Sequence, residues 1–268
     1  MTELTCLSQP HQHIKADLQH GILTLAIDRP QSKNALYSEL YLFLVQALQQ
    51  ADQSKQVQVV ILRGADGDLT AGNDMQDFAK FIGQQHIPAT EQPPFLLLKA
   101  AAQFSKPLIV AIKGVAIGIG VTLLLHADFA YADEKAVFQM PFSSLGLSPE
   151  GGASQLLQRR AGYLLANDLI MTARKFDSAT ALHAGLINQI CDEPYEQAEK
   201  TARHLAKLPM VSLKTSKALM KHDMTEIVQL IDQEAEIFMQ RVQSAEMREA
   251  LTAFQEKRPA DFSHFNQA

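Results

Sequence analysis

The pattern that most constrains this chain is an alternation of short, β-branched apolar runs with helical stretches over its first two-thirds. Residues 21–27 (Gly-Ile-Leu-Thr-Leu-Ala-Ile) read as a strand closed by Asp28-Arg29-Pro30. A helix follows from near Asn34, with Leu36, Leu40, Phe43 or Leu44, and Ala47 or Leu48 on one apolar face. Residues 57–63 read as a second strand, ending in a loop at residues 64–68. Residues 107–113 read as a third, whose unbroken apolar character predicts burial on both faces. Between them a short helix is expected to open at Asp74, whose carboxylate can cap the first free N–H groups. Alternation of this kind predicts an α/β fold with a largely parallel sheet. From about Pro194 the strand signals stop. Ala198, Ala202 and Leu205 share one helical face, and Ile227, Leu230 or Ile231, Phe238 and Val242 share a longer one. The 268 residues therefore suggest one large α/β core over residues 1–194 and a helical region over residues 195–268.

Composition narrows the function classes. A 47% hydrophobic and 20% charged chain can bury a core, and a net charge of −5 supplies no field that would draw nucleic acid or an anionic membrane. Cys6 and Cys191 stand far apart without a partner motif, which suits a reducing, cytoplasmic setting rather than a disulfide framework. His-x-x-x-His and Cys/His clusters are missing, so no metal is expected; His126, beside Asp128, reads as a buried and satisfied residue. The apolar run at residues 114–125 is too short to span a bilayer. The polar N-terminal stretch, with its three histidines, does not read as a signal peptide.

Three loops could carry chemistry, and each has a structural alternative. Thr70-Ala71-Gly72-Asn73-Asp74 sits at a strand-to-helix turn: its small residues would let a ligand approach free N–H groups, or it is simply a capped helix start. Gly114, Gly118 and Gly120 follow a buried strand; their spacing is not the dinucleotide fingerprint, and they serve either a pocket-facing turn or close packing. Glu150, in Ser148-Pro149-Glu150-Gly151-Gly152, is either a general base or an acid at a helix start near Ala153.

Read together, Ile22-Leu23-Thr24-Leu25, Asn34-Ala35-Leu36, Ala71-Gly72-Asn73-Asp74, the loop at residues 114–120, residues 176–188 and the tail at residues 254–262 resemble the crotonase superfamily, the enoyl-CoA hydratase/isomerase family. The resemblance implies a spiral of ββα units with a C-terminal helical region. It also implies a homotrimer or dimer of trimers, and an acyl-CoA thioester as substrate, with coenzyme A part of that substrate and no separate cofactor. In that family two backbone N–H groups form an oxyanion hole; the matching positions are Asn73 and Ile119, the latter a glycine in many relatives. Ala35, Ala71, Gly72, Asp74, Met75 and Gly118 match positions near the CoA ligand.

Hydratases of the family use two glutamates, and the matching positions here are Thr122 and Phe142, the latter following Phe138-Gln139-Met140-Pro141. Adding water needs one group to activate it and one to deliver a proton, so hydratase activity is disfavoured. The context of Glu150 resembles that of peroxisomal-type delta-3,delta-2-enoyl-CoA isomerases, in which the matching glutamate is the acid/base. The resemblance thus implies an isomerase shifting a 3-enoyl-CoA double bond to the 2-position. Rivals are a ring-epoxide-to-oxepin CoA isomerase, whose relatives carry an aspartate in this turn, and a non-catalytic acyl-CoA binder.

Overall fold

A computed structural model describes residues 4–82, 87–221 and 223–265. After a single helical turn, α1 (Thr5–Ser8), the chain forms strands β1 (Ile14–Gln19) and β2 (Ile22–Ile27), helix α2 (Ser38–Gln53) and strand β3 (Val59–Thr70). Helices α3 (Met75–Phe78) and α4 (Pro93–Gln103), strand β4 (Leu108–Ile117), helix α5 (Ile119–Thr122) and strands β5 (Phe129–Ala132) and β6 (Val137–Gln139) follow. Then come α6 (Ala153–Ala161), α7 (Tyr163–Met171), β7 (Lys175–Asp177), α8 (Ser178–His183) and β8 (Gln189–Ile190). The remainder is helical: α9 (Pro194–Leu205), α10 (Met210–Met220), α11 (Met224–Val242) and α12 (Ala245–Glu256).

The sheet runs β1-β2-β3-β4-β5-β8, parallel throughout except for the β1–β2 hairpin, with β6 on the far half of β4 and β7 antiparallel to β6. Strand β4 changes partner along its length. Ile109 to Ile112 pair with β5, whereas Val115 to Ile117 pair with β6, so the sheet bends around that strand. Both faces are buried, which explains the unbroken apolar runs. Val60, Leu62, Val110 and Ile112 point into the main core with α2, α4 and α11, while Val59, Ile61, Ile109 and Ala111 meet Ala198, Ala202 and Leu205 of α9. The helices after Pro194 therefore contribute to the cores on both sides of the sheet.

The α/β alternation, the parallel pairing and the helical remainder are as the sequence predicts, but several boundaries differ. Residues 64–68 are not a loop: β3 continues through them to Thr70, with register shifts on either side of the Asp68–Lys113 pair. Gly114 likewise lies inside β4. The helix expected from near Asn34 begins at Ser38, because Lys33 and Asn34 adopt φ of 48° and 57°, a left-handed turn no helix can contain. Asn34 is held there by its own amide, which accepts from the Arg29 N–H at 2.7 Å and donates to the Asp68 carbonyl. Strand β1 precedes the first strand read from the sequence, and its residues alternate between the core side and solvent.

Candidate active site

Two neighbouring parallel strands deliver the backbone of the site, at the carboxyl ends where open α/β sheets bind ligands. Strand β3 ends at Thr70 and β4 at Ile117, and each then turns into a short helix. Gly72 has φ of 88°, and a Cβ on it would stand 2.9 Å from the Ile117 carbonyl oxygen, so the two turns touch. The first turn is pinned by Leu36, whose N–H donates to Gly72 O at 2.8 Å and whose carbonyl accepts from Asp74 N–H at 2.7 Å. In the second, Gly118 sits at φ 56°, ψ −116°, a conformation closed to side-chain-bearing residues. Immediately after these glycines, the N–H groups of Asn73 and Ile119 donate to no acceptor among the described residues.

Glu150 approaches from a third segment. It is 4% exposed, and Oε1 accepts a 2.6 Å hydrogen bond from the Thr122 hydroxyl, while Oε2 has no partner among the described residues. Burial pushes its carboxyl up to about 8; the Thr122 hydrogen bond opposes that rise and the nearby Glu234 charge adds to it. The turn that carries Glu150 is gripped at both ends. His126, kept neutral by burial that drives its pKa down to about 3, donates from Nε2 to the Gly151 carbonyl at 2.8 Å. Glu234 of α11 accepts from the Gly152 N–H at 2.6 Å and the Ser154 N–H at 3.0 Å.

A narrow cavity of about 70 Å³ brings these groups together. Ala71, Gly72, Asn73, Met75, Gly118, Ile119 and Glu150 all line it, with apolar walls from Phe78, Phe142, Leu145, Leu147 and Phe238. Of the expected ligand positions, Ala35 and Asp74 stand apart from it. Ala35 is buried, its carbonyl accepting from Arg29 at 3.0 Å. Asp74 caps α3, accepting from the N–H groups of Gln76 and Asp77 as expected, and pairs with Arg29 at 2.6 Å. Burial alone would raise the Asp74 carboxyl, but the Arg29 and backbone donors outweigh it and hold it below its ordinary value. It borders a second, wider cavity beside His13, Arg29, Tyr37 and Lys80.

The sequence reading missed three contributors. Thr122 stands where family hydratases carry a glutamate, yet it is the donor that orients Glu150. Tyr41, fully buried on α2, donates its hydroxyl to Asn73 Oδ1 at 2.5 Å, and burial together with the Glu150 charge holds its own proton firmly. Glu234 sits 82 residues from the turn it binds, and nothing local marks it. Among the described residues no group of three His, Cys, Asp or Glu could hold a metal ion, and no helix is long and apolar enough to cross a membrane.

Chemically, the site pairs a buried carboxyl of raised proton affinity with two open N–H donors across an apolar gap. The family model "Enoyl-CoA hydratase/isomerase" matches residues 17–265. The chain is 30% identical to 1,2-epoxyphenylacetyl-CoA isomerase from Escherichia coli, over 94% of this chain and 98% of that protein. It is 29% identical to enoyl-CoA delta isomerase 2 from Rattus norvegicus, over 94% of this chain and 66% of the rat protein. It is equally similar, at 30%, to 2,3-dehydroadipyl-CoA hydratase from E. coli, over 91% of this chain and 96% of that protein. Among solved structures, one described as an enoyl-CoA hydratase/isomerase from Acinetobacter baumannii shares 62% identity at a TM-score of 0.86, covering 88% of this chain and all of that one. With the motifs, the sheet and a family match spanning nearly its full length in accord, the chain belongs to the enoyl-CoA hydratase/isomerase family and has the crotonase fold.

Proposed function

We propose that this enzyme is an isomerase of acyl-CoA thioesters that moves the double bond of a 3-enoyl-CoA to the 2-position by a 1,3-proton shift. One observation carries the reading: among the described residues, Glu150 is the single carboxylate lining the cavity onto which the Asn73 and Ile119 turns open. Glu150, ionised, takes the C2 proton through its unpartnered oxygen, and the electron pair delocalises into a dienolate. The thioester oxygen, now negative, rests on the N–H groups of Asn73 and Ile119, each worth roughly 10²–10³ in rate. Protonated Glu150 then returns the proton to C4, so one carboxyl serves both steps and nothing is consumed. A pKa near 8 suits the role: a base matched to neutral pH abstracts a weakly acidic proton better than an ordinary carboxylate. Hydration would need a second proton-transferring group, and Thr122 and Phe142 occupy the positions where family hydratases hold theirs.

In this reading Ala71, Gly72, Met75 and Gly118 border the thioester, while Ala35 and Asp74 flank the CoA arm near Arg29 and Lys80. The half-buried Met75 and Leu145 side chains line the same cavity and would flank the acyl group. Residues 195–268 serve assembly as a homotrimer or dimer of trimers, with Val211 at 80% and Met220 at 79% exposure among the apolar side chains left to cover. Turnover of 3-enoyl-CoA substrates to conjugated 2-enoyl product tests the reaction, and Glu150→Gln should abolish it. Near-wild-type turnover by that variant would overturn the assignment of the base. Turnover confined to a ring-epoxide CoA thioester would instead support the epoxyphenylacetyl-CoA isomerase comparison.

A further inference from the structure

We propose that Glu234 is a positioning residue for Glu150, its buried carboxylate clamping the Gly151–Gly152 turn, so that helix α11 is a working part of the active site. The inference rests on Glu150 being the acid/base. Gly151 and Gly152 hold consecutive left-handed conformations, at φ 74° and 78°, which aim the Glu150 side chain into the cavity and start α6 directly afterward. No side chain caps α6 locally, so its first N–H groups would be buried without acceptors. Glu234, 6% exposed and 82 residues downstream, supplies that acceptor through both oxygens, to Gly152 and Ser154. The carbonyl of the same peptide is fixed by His126 on Gly151 O, with Lys221, just after α10, donating to the His126 carbonyl at 2.8 Å. Both polar groups of the Gly151–Gly152 peptide, its C=O and its N–H, are thus tied to buried side chains, and a flip of that peptide would break both ties.

The clamp also sets the electrostatics. Burial raises the Glu234 carboxyl too, and where Glu234 is ionised its charge favours the protonated form of Glu150, adding to the larger effect of burial. Other titratable groups around the turn do not cancel it. Tyr41 of α2 stays protonated, His126 stays neutral, Lys221 at the end of α10 bonds the His126 carbonyl, and Lys99 of α4 is engaged by Asp232 at 2.8 Å. Among the described residues, no cation pairs with either Glu150 or Glu234. A purely structural cap would affect stability alone, and that difference is measurable.

The test compares wild type, Glu234→Gln, Glu234→Asp and Glu150→Gln as full chains. Infrared difference spectra across pH follow the protonated carboxyl of Glu150, identified by its disappearance in Glu150→Gln. We expect its midpoint to fall measurably in Glu234→Gln and to recover in Glu234→Asp, which keeps the charge. On a 3-enoyl-CoA, kcat should fall about tenfold in Glu234→Gln with KM little changed, as for a displaced base. A Glu150 midpoint and kcat unchanged in Glu234→Gln, with only the unfolding midpoint lowered, would overturn the proposal. If the wild type turns over no 3-enoyl-CoA while the Glu150 midpoint still moves, the clamp stands and the proposed reaction falls.

Discussion

Replacing Glu150 by Gln should stabilise the protein, and increasingly so as pH rises. The side chain is fully buried and its carboxyl moves from an ordinary value of 4.5 in the unfolded chain to about 8 in the folded one. The folded state therefore binds more protons than the unfolded state between those values. Stability must fall as pH climbs through that window and level off above it. Integrated at about 1.36 kcal/mol per pH unit, the loss between pH 5 and pH 9 is about 4 kcal/mol, and water entering the cavity would reduce it toward about 2 kcal/mol. Gln keeps the shape and can still accept from Thr122, but it never ionises. Urea unfolding of both proteins at pH 5, 7 and 9 provides the measurement, using midpoints and slopes to obtain the difference at each pH. The gap should be small at pH 5 and open by about 2–4 kcal/mol in favour of Gln by pH 9. A gap that stays constant across this range would refute the raised pKa, and with it the argument that this site makes a strong base from a carboxylate.

Two other substitutions separate the remaining parts of the site. Thr122→Val removes the donor that favours ionised Glu150; a hydrogen bond to a charged group is worth about 1.5–3 kcal/mol, so the acidic limb of the kcat–pH profile should move up by about 1–2 pH units. A limb that moves down or stays put would show that Thr122 acts only by packing. Gly118→Ala adds a Cβ that meets nothing within 4 Å, so its cost is backbone strain alone, about 1–3 kcal/mol. Because that strain is relieved by turning the Ile119 N–H, kcat should fall about 10²-fold while the unfolding midpoint drops only modestly, and unaltered kcat would argue against Ile119 as a donor.

What the sequence discloses here follows from how each signal is written into it. Residues 57–63 and 107–113 are legible as strands because a sheet covered on both faces leaves no polar alternation. Their ends are misjudged where Gly64 and Gly114 mimic turn signals. Both strands in fact continue, since Asp68 still pairs with Lys113 and Thr70 with Ala116. The turns at Gly72, Gly118 and Glu150 stand out because positive φ angles demand glycine, and glycine is visible. Tyr41, Glu234 and Phe238 are invisible for the opposite reason. Each lies within an ordinary amphipathic helix, where an aromatic or acidic residue reads as core or surface, and only the three-dimensional packing of α2 and α11 aims them at the site. Asp74 is legible as well: the cap its position before α3 suggests is made, and its carboxylate also pairs with Arg29, a partner 45 residues away that no local pattern marks.

Helix α11 places Glu234 and Phe238 one turn apart, so that one residue ties down the turn of the base while the other walls the cavity and packs edge-on against Phe78, Phe95 and Phe142. During synthesis, Asn73, Ile119 and Glu150 all emerge long before that helix does. In the proposed reaction, a polypeptide clipped upstream of Met224 would therefore carry Asn73, Ile119 and Glu150 but lack both the clamp on the Glu150 turn and the cavity wall that α11 supplies.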